Sequence, residues 1–164
     1  MGRVVQMGRD QRLYVNSSVY ATPSWAEVTK AKDVTVSKSR DKVDADTRDT
    51  AQQGYKSYET GLRDYSVKFQ MLVPATGETN TAFETIKAAQ ESGDPLDFLI
   101  VNDGAISTDG LEAERVPLGV FGWEDGQPLN GTRTIDVELA LQASDDQTYP
   151  STGTTSDSAF VAGS

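Results

Sequence analysis

From Thr132 to Leu141 polar and apolar side chains alternate for ten residues, and Tyr65 to Val73 repeats the pattern. Successive side chains of a strand point to opposite faces, so Ile135, Val137, Leu139 and Leu141 share one face and Thr134, Asp136, Glu138 and Ala140 the other. Val67, Phe69, Met71 and Val73 form a second apolar row, and Val34 with Val36 in Asp33 to Lys38 begins a third. A strand that is wet on one side and buried on the other belongs to an antiparallel sheet; strands of parallel sheets are apolar on both faces. This alternation commits the chain to a mainly β fold.

One segment breaks the period. After Pro74 to Gly77, Phe83, Ile86 and Ala89 or Gln90 recur at helical spacing, predicting a helix over residues 81–92, the only substantial one. Thr81 with Glu84 fits a capping box, and Gly93 followed by Pro95 is a stop. Leu96 to Val101 is almost continuously apolar, a strand covered on both faces with that helix over one of them. Asp103-Gly104, Asp109-Gly110 and Asp125-Gly126 mark turns around strand material from Leu111 to Trp123. The expected fold is an antiparallel β-sandwich or partly closed barrel of six or seven strands, flanked by one helix.

The 164 residues make one domain with arms. Residues 1–30 read as an N-terminal arm and first strand, with Leu13, Val15 and Val19 as its best strand material. Residues 31–142 form the β domain, interrupted at about 40–62 by a polar loop dense in both charge signs, and long connections of that kind are functional or mobile. Residues 143–164 carry nine Ser and Thr, three Asp and two Gly, too little apolar surface for a core. They read as an arm or disordered tail, with Phe160-Val161-Ala162 as its frayed end. No stretch approaches the about 20 apolar residues of a membrane span, and the amino end lacks a signal-peptide block, so a soluble product of the cytoplasm is expected.

The chain has no Cys and no His, which removes disulfides, thiolates, the usual general base and every Ser-His or Cys-His pair. Its 25 acidic and 15 basic side chains give a net charge of −10, a sign that repels DNA. Residues 1–70 carry +3 and residues 71–164 carry −13, so the two halves can attract each other between subunits. The carboxylate pairs Asp44/Asp46, Glu112/Glu114 and Asp136/Glu138 could be read as acid and base, yet i, i+2 pairs are the ordinary solvent side of an acidic sheet. Asp44-x-Asp46 lacks the Gly and the distal Glu of a calcium loop. No phosphate-binding glycine loop or nucleophile elbow is present, and neither enzyme activity nor a cofactor or metal is expected. Trp25, beside Pro23 in a weakly patterned stretch, and Arg48, amid Asp44, Asp46 and Asp49, are candidates for contacts with another subunit.

The order of features resembles the major tail tube protein of long, flexible, non-contractile-tailed bacteriophages. The matching residues are Leu13-Tyr14-Val15, Ala21-Thr22-Pro23-Ser24-Trp25-Ala26-Glu27-Val28, Lys32 to Ser37, Ala45 to Arg48, Gly54-Tyr55-Lys56 and Gly61 to Phe69. The helix at Phe83, a glycine-punctuated hairpin up to Trp123 and the closing strand Ile135 to Leu141 extend the likeness over about residues 12–142. The resemblance implies a virion protein of the tail, made in the host bacterium, that assembles into hexameric rings stacked head to tail and conducts DNA at ejection without binding it. Tail-tip, tape-measure and tail terminator proteins are its implied partners. The loop at about 40–62 becomes the inter-ring arm, and Trp25, Asp44, Asp46, Arg48 and Tyr55 become inter-subunit candidates. Glu112, Glu114, Thr134, Asp136 and Glu138 become candidates for the lumen wall, where acidic groups keep a polyanion from sticking. Two other readings stand beside it: an acidic β-sandwich binding module for glycan or protein on a virion or cell surface, and a secretion-system tube protein.

Overall fold

The computed structural model describes residues 11–29, 31–45, 56, 58–127, 129 and 131–156. Their elements, in order, are β1 (Arg12–Asn16), β2 (Trp25–Glu27), β3 (Ala31–Asp44), β4 (Tyr58–Leu72), α1 (Thr81–Ser92), β5 (Leu96–Val101), β6 (Glu112–Gly126), β7 (Thr134–Leu141) and β8 (Ser151–Thr154). All eight strands join one antiparallel sheet in the order β2-β1-β5-β6-β7-β4-β3, with β8 paired to β6 beyond the end of β7. The sheet is not closed into a barrel. It is strongly curved instead: Leu13 and Val15 of β1 meet Tyr65 and Val67 of β4 in one core, although three strands separate β1 from β4.

That core fills the concave side. Phe69 and Met71 of β4, Phe98 and Ile100 of β5, Val116 and Leu118 of β6, and Ile135, Val137 and Leu139 of β7 all enter it, following the alternation read from the sequence. Fully burying each such side chain contributes about 1.5–3 kcal/mol. Helix α1 lies over the same side through Ala82, Phe83 and Ile86, and the Phe83 ring meets Trp123 at 6.1 Å between centroids. The helix has the predicted bounds, but its N-cap is Asn80, whose side chain accepts from the Phe83 amide at 3.1 Å, so Thr81 and Glu84 do not form the cap. Gly93 ends it with φ 79°, a left-handed conformation that a Cβ would oppose, and donates back to Ala89 at 2.8 Å.

Strand β5 is covered on both faces as its apolar run requires. Phe98 and Ile100 face the main core, while Leu99 and Val101 pack on the convex side with Tyr14 and Ala113. This second cluster makes β1 an interior strand between β2 and β5 rather than an arm or edge. Val19 lies outside it, 63% exposed.

Three further expectations change. Residues 40–44 and 58–62 are not loop but paired ends of β3 and β4, with Lys42 opposite Thr60 and Asp44 opposite Tyr58. Neither face is buried there, so no alternation marks the strands. The stretch up to Trp123 is not a hairpin but the single 15-residue strand β6, with a bulge between Val120 and Gly122. The Ser/Thr-rich stretch contributes β8, and Gln147 and Thr155 are buried; its hydrogen bonds to β6 replace the apolar contacts it lacks.

Candidate assembly surfaces

The polar face of β4, β7 and β6 is built by register. Gln70, Asp136 and Glu124 lie in one row across the three strands, and Lys68, Glu138 and Gly122 in the next. Gln70 donates to Asp136 at 3.0 Å, and Lys68 reaches Glu138 at 3.7 Å. Both members of that ion pair are more than half exposed, so it contributes less than about 1 kcal/mol and leaves the face acidic. A Cβ at Gly122 would stand 2.8 Å from the Glu138 Cβ, so only glycine lets the Glu138 side chain cross β6. Thr134, Asp136 and Glu138 therefore share one open surface, as their spacing predicted.

Glu112 and Glu114 do not join it. The extra residue at the Phe121 bulge inverts the alternation of β6: even-numbered residues before it face the core, and even-numbered residues after it face outward. Glu114 stands opposite Ile100 on the concave side and pairs with Lys38 at 2.8 Å. Beside it the Tyr65 hydroxyl is buried, and burial first, then the Glu114 carboxylate, push the phenol far above its ordinary pKa. Phe121 is 66% exposed on the outward side, its ring close over Gly119.

The β3 and β4 hairpin runs past the end of β7, whose pairing with β4 stops at Ser66. Its outer part displays Val43, Tyr58 and Leu62, and the Lys42 ammonium lies 5.6 Å from the Tyr58 ring. Asp44 is exposed at the last described pair of the ladder. Asp46, Arg48 and Tyr55 lie outside the described residues. Trp25 is half-buried in β2, packed on the convex cluster with the Arg115 guanidinium 5.1 Å from its ring.

Sequence reasoning missed Arg115 and Asp97. Arg115 is 1% exposed; its Nε donates to both Asp97 carboxylate oxygens at 3.0 and 2.9 Å, and Nη2 donates to the Tyr20 carbonyl at 2.9 Å. The Tyr20 ring lies 3.8 Å from the guanidinium. Asn16 donates to Asp97 at 3.2 Å and accepts from Ser18 and Ser24, fixing the loop between β1 and β2, while Gln147 donates to the Arg115 carbonyl at 2.8 Å. The ion pair thus ties that loop, β5 and β6 together, and the Arg115 main chain holds the approach to β8 through Gln147. The only sequence signal was a charged residue inside the apolar run Leu96 to Val101.

Among the described residues no group of three or more His, Cys, Asp or Glu gathers as a metal site. What the described residues offer is surface: an acidic sheet face, the outer part of the β3 and β4 hairpin, and sheet edges at β2 and β3 that pair with no further strand among the described residues. No family model and no curated protein matches the sequence. Solved structures match the fold. A chain of the tail of an empty gene transfer agent (GTA) particle, refined with C6 symmetry, is 14% identical at TM-score 0.68, covering 85% of this chain and 96% of that one. The virion of the native GTA particle gives 14% identity and TM-score 0.68 over 91% and 99%, and the SPP1 tail tube 15% and 0.69 over 91% and 79%. A chain of the anti-feeding prophage baseplate is more distant, at 9% and 0.54. The chain has the fold found in these tails.

Proposed function

We propose that this chain is the repeating subunit of a phage-type tail tube, a structural protein of the virion that forms six-membered rings stacked head to tail around a bore for DNA. The observation that carries the reading is a likeness in fold to tails, one of them refined with C6 symmetry, that spans most of both chains. The chemistry agrees: Asp136, Glu138 and Glu124 crowd one sheet face with Lys68 as the cation paired to it, and an acidic bore conducts a polyanion without trapping it. On this reading Thr134, Asp136 and Glu138 line the bore. Glu112 and Glu114 point elsewhere, and the β3 and β4 hairpin, with Asp44, bridges to the next ring while Trp25 lies near a lateral contact. Tail-tip, tape-measure and terminator proteins are then its partners, and no catalytic role is assigned.

Negative-stain microscopy of the concentrated protein tests this directly. Six-fold rings or tubes are expected, and dispersed monomers at every concentration and ionic strength would refute it. The bore assignment has its own test. Changing Asp136 and Glu138 to Lys is expected to permit assembly but slow genome ejection from reconstituted virions; an unaltered rate at low salt, where the electrostatic term is strongest, overturns it.

A further inference from the structure

Past the end of β7 the two faces of the β3 and β4 hairpin divide by charge sign. Alternation outward from the core fixes which residue lies on which face. Val36 and Val67 are opposite each other and look into the main core, so the same face continues through Lys38 and Tyr65 to Arg40 and Arg63. A bulge in β4 follows, after which Lys42 with Thr60 and Asp44 with Tyr58 complete that face, the Lys42 ammonium lying over the Tyr58 ring. The reverse face holds Asp64 opposite Ser39, then Asp41, then Glu59 opposite Val43. A Cβ at Gly61 would meet both Asp41 and Val43, which places those two side by side. One face therefore carries Arg40, Lys42 and Arg63 against Asp44; the other carries Asp41, Glu59 and Asp64 and no cation among the described residues.

Arg40 and Arg63 stand directly opposite each other, and like charges in that position destabilise a ladder. No ion pair among the described residues relieves either of them, and Asp41 and Glu59 have none. The two faces complement each other, yet as opposite sides of one ribbon they cannot meet within a chain. We propose that they meet between copies: the basic face of one hairpin, with Arg40, Lys42 and Arg63, lies on the acidic face of the next, with Asp41, Glu59 and Asp64. Tyr58 on the first face and Val43 on the second are more than half exposed, and the same contact covers both. Joining unlike faces is heterologous, so the contact repeats from copy to copy and builds a ring or a filament rather than a closed pair. It deepens the tail-tube reading by naming residues that join the copies, and rests on that reading for six-fold closure alone.

Sedimentation of the full chain over a range of concentrations tests it. Arg40→Glu/Arg63→Glu and, separately, Asp41→Lys/Glu59→Lys are each expected to raise the Kd of self-association at least about tenfold, because each sets like charges against each other across the contact. They shift the net charge in opposite directions, so overall repulsion cannot weaken both. All four changes together restore opposite signs and should return Kd to within about threefold of the parent. The four positions are exposed, so the fold should stand; circular dichroism checks this, and Arg40→Gln/Arg63→Gln gives a gentler reading of the basic face. Loss from the basic-face change alone would mean that some other polyanion fills that face and overturns the contact. Unaltered association in both variants, or a combined variant that stays dispersed, overturns it as well. Association that follows these charges without six-fold rings refutes the tail-tube reading and leaves the contact standing, whereas six-fold rings from either reversed variant do the opposite. A parent that stays monomeric refutes both.

Discussion

Replacing Asp97 with Ala removes the carboxylate from a guanidinium that is 1% exposed. Arg115 loses contacts at 3.0 and 2.9 Å to Nε and at 2.5 Å to Nη2, while the Tyr20 carbonyl and the Tyr20 and Trp25 rings stay beside it. Stranding one charge of a buried pair costs about 3–5 kcal/mol. With a urea dependence of about 2 kcal/mol per molar, the midpoint should fall by about 1.5–2.5 M, read by circular dichroism. Arg115→Met should be milder, because Asp97 keeps the Asn16 amide at 3.2 Å and its side chain is 14% exposed. The double change Asp97→Leu/Arg115→Met should come back toward the parent, within about 2 kcal/mol, since no charge is left buried. If Asp97→Ala shifts stability by under about 1 kcal/mol, or the double variant equals the sum of the singles, the pair is not the tie described here.

Other expectations concern single positions. Gly122→Ala should destabilise by about 1–3 kcal/mol because its Cβ meets the Glu138 Cβ, whereas Gly119→Ala meets the movable end of Gln142 and should lose less; the ranking of their urea midpoints decides. Asn80→Ala should lose about 1 kcal/mol by thermal or urea unfolding, and Thr81→Ala less, because Asn80 is the helix cap. Tyr65 stays neutral in the folded chain while it ionises near pH 10 when unfolded, so the unfolded state sheds its proton first and stability falls as pH rises above about 10. Tyr65→Phe should flatten that alkaline loss, and an unchanged slope counts against the buried phenol.

Much of this was legible locally. Helix α1, β5 and the buried rows of β4 and β7 follow from side-chain period, because each has one wet and one dry face or none wet at all. The outer hairpin escaped because both of its faces are wet, and period two carries no signal without contrast. Strand β8 escaped because hydrogen bonds to β6, not apolar burial, hold it. The shared face of Thr134, Asp136 and Glu138 is legible from period two, while Glu112 and Glu114 fall on the other face because of one bulge residue whose presence depends on the partner strand. The pairing of Asp97 with Arg115 needs the β5 and β6 register, which no local pattern encodes.

The chain departs from the edge of β6 after Leu141 and returns to the same edge at Ser151. Everything between is an excursion pinned by Gln147, with Asp145 and Asp146 exposed at its turn. Neither ladder of β6 senses the length of that excursion, since both registers are set by residues outside it. A peptide inserted between Asp145 and Asp146 has to span the Ser144–Gln147 hydrogen bonds that close this turn, yet it adds no residue to either ladder, so added length is felt first at Gln147 and only then by the sheet.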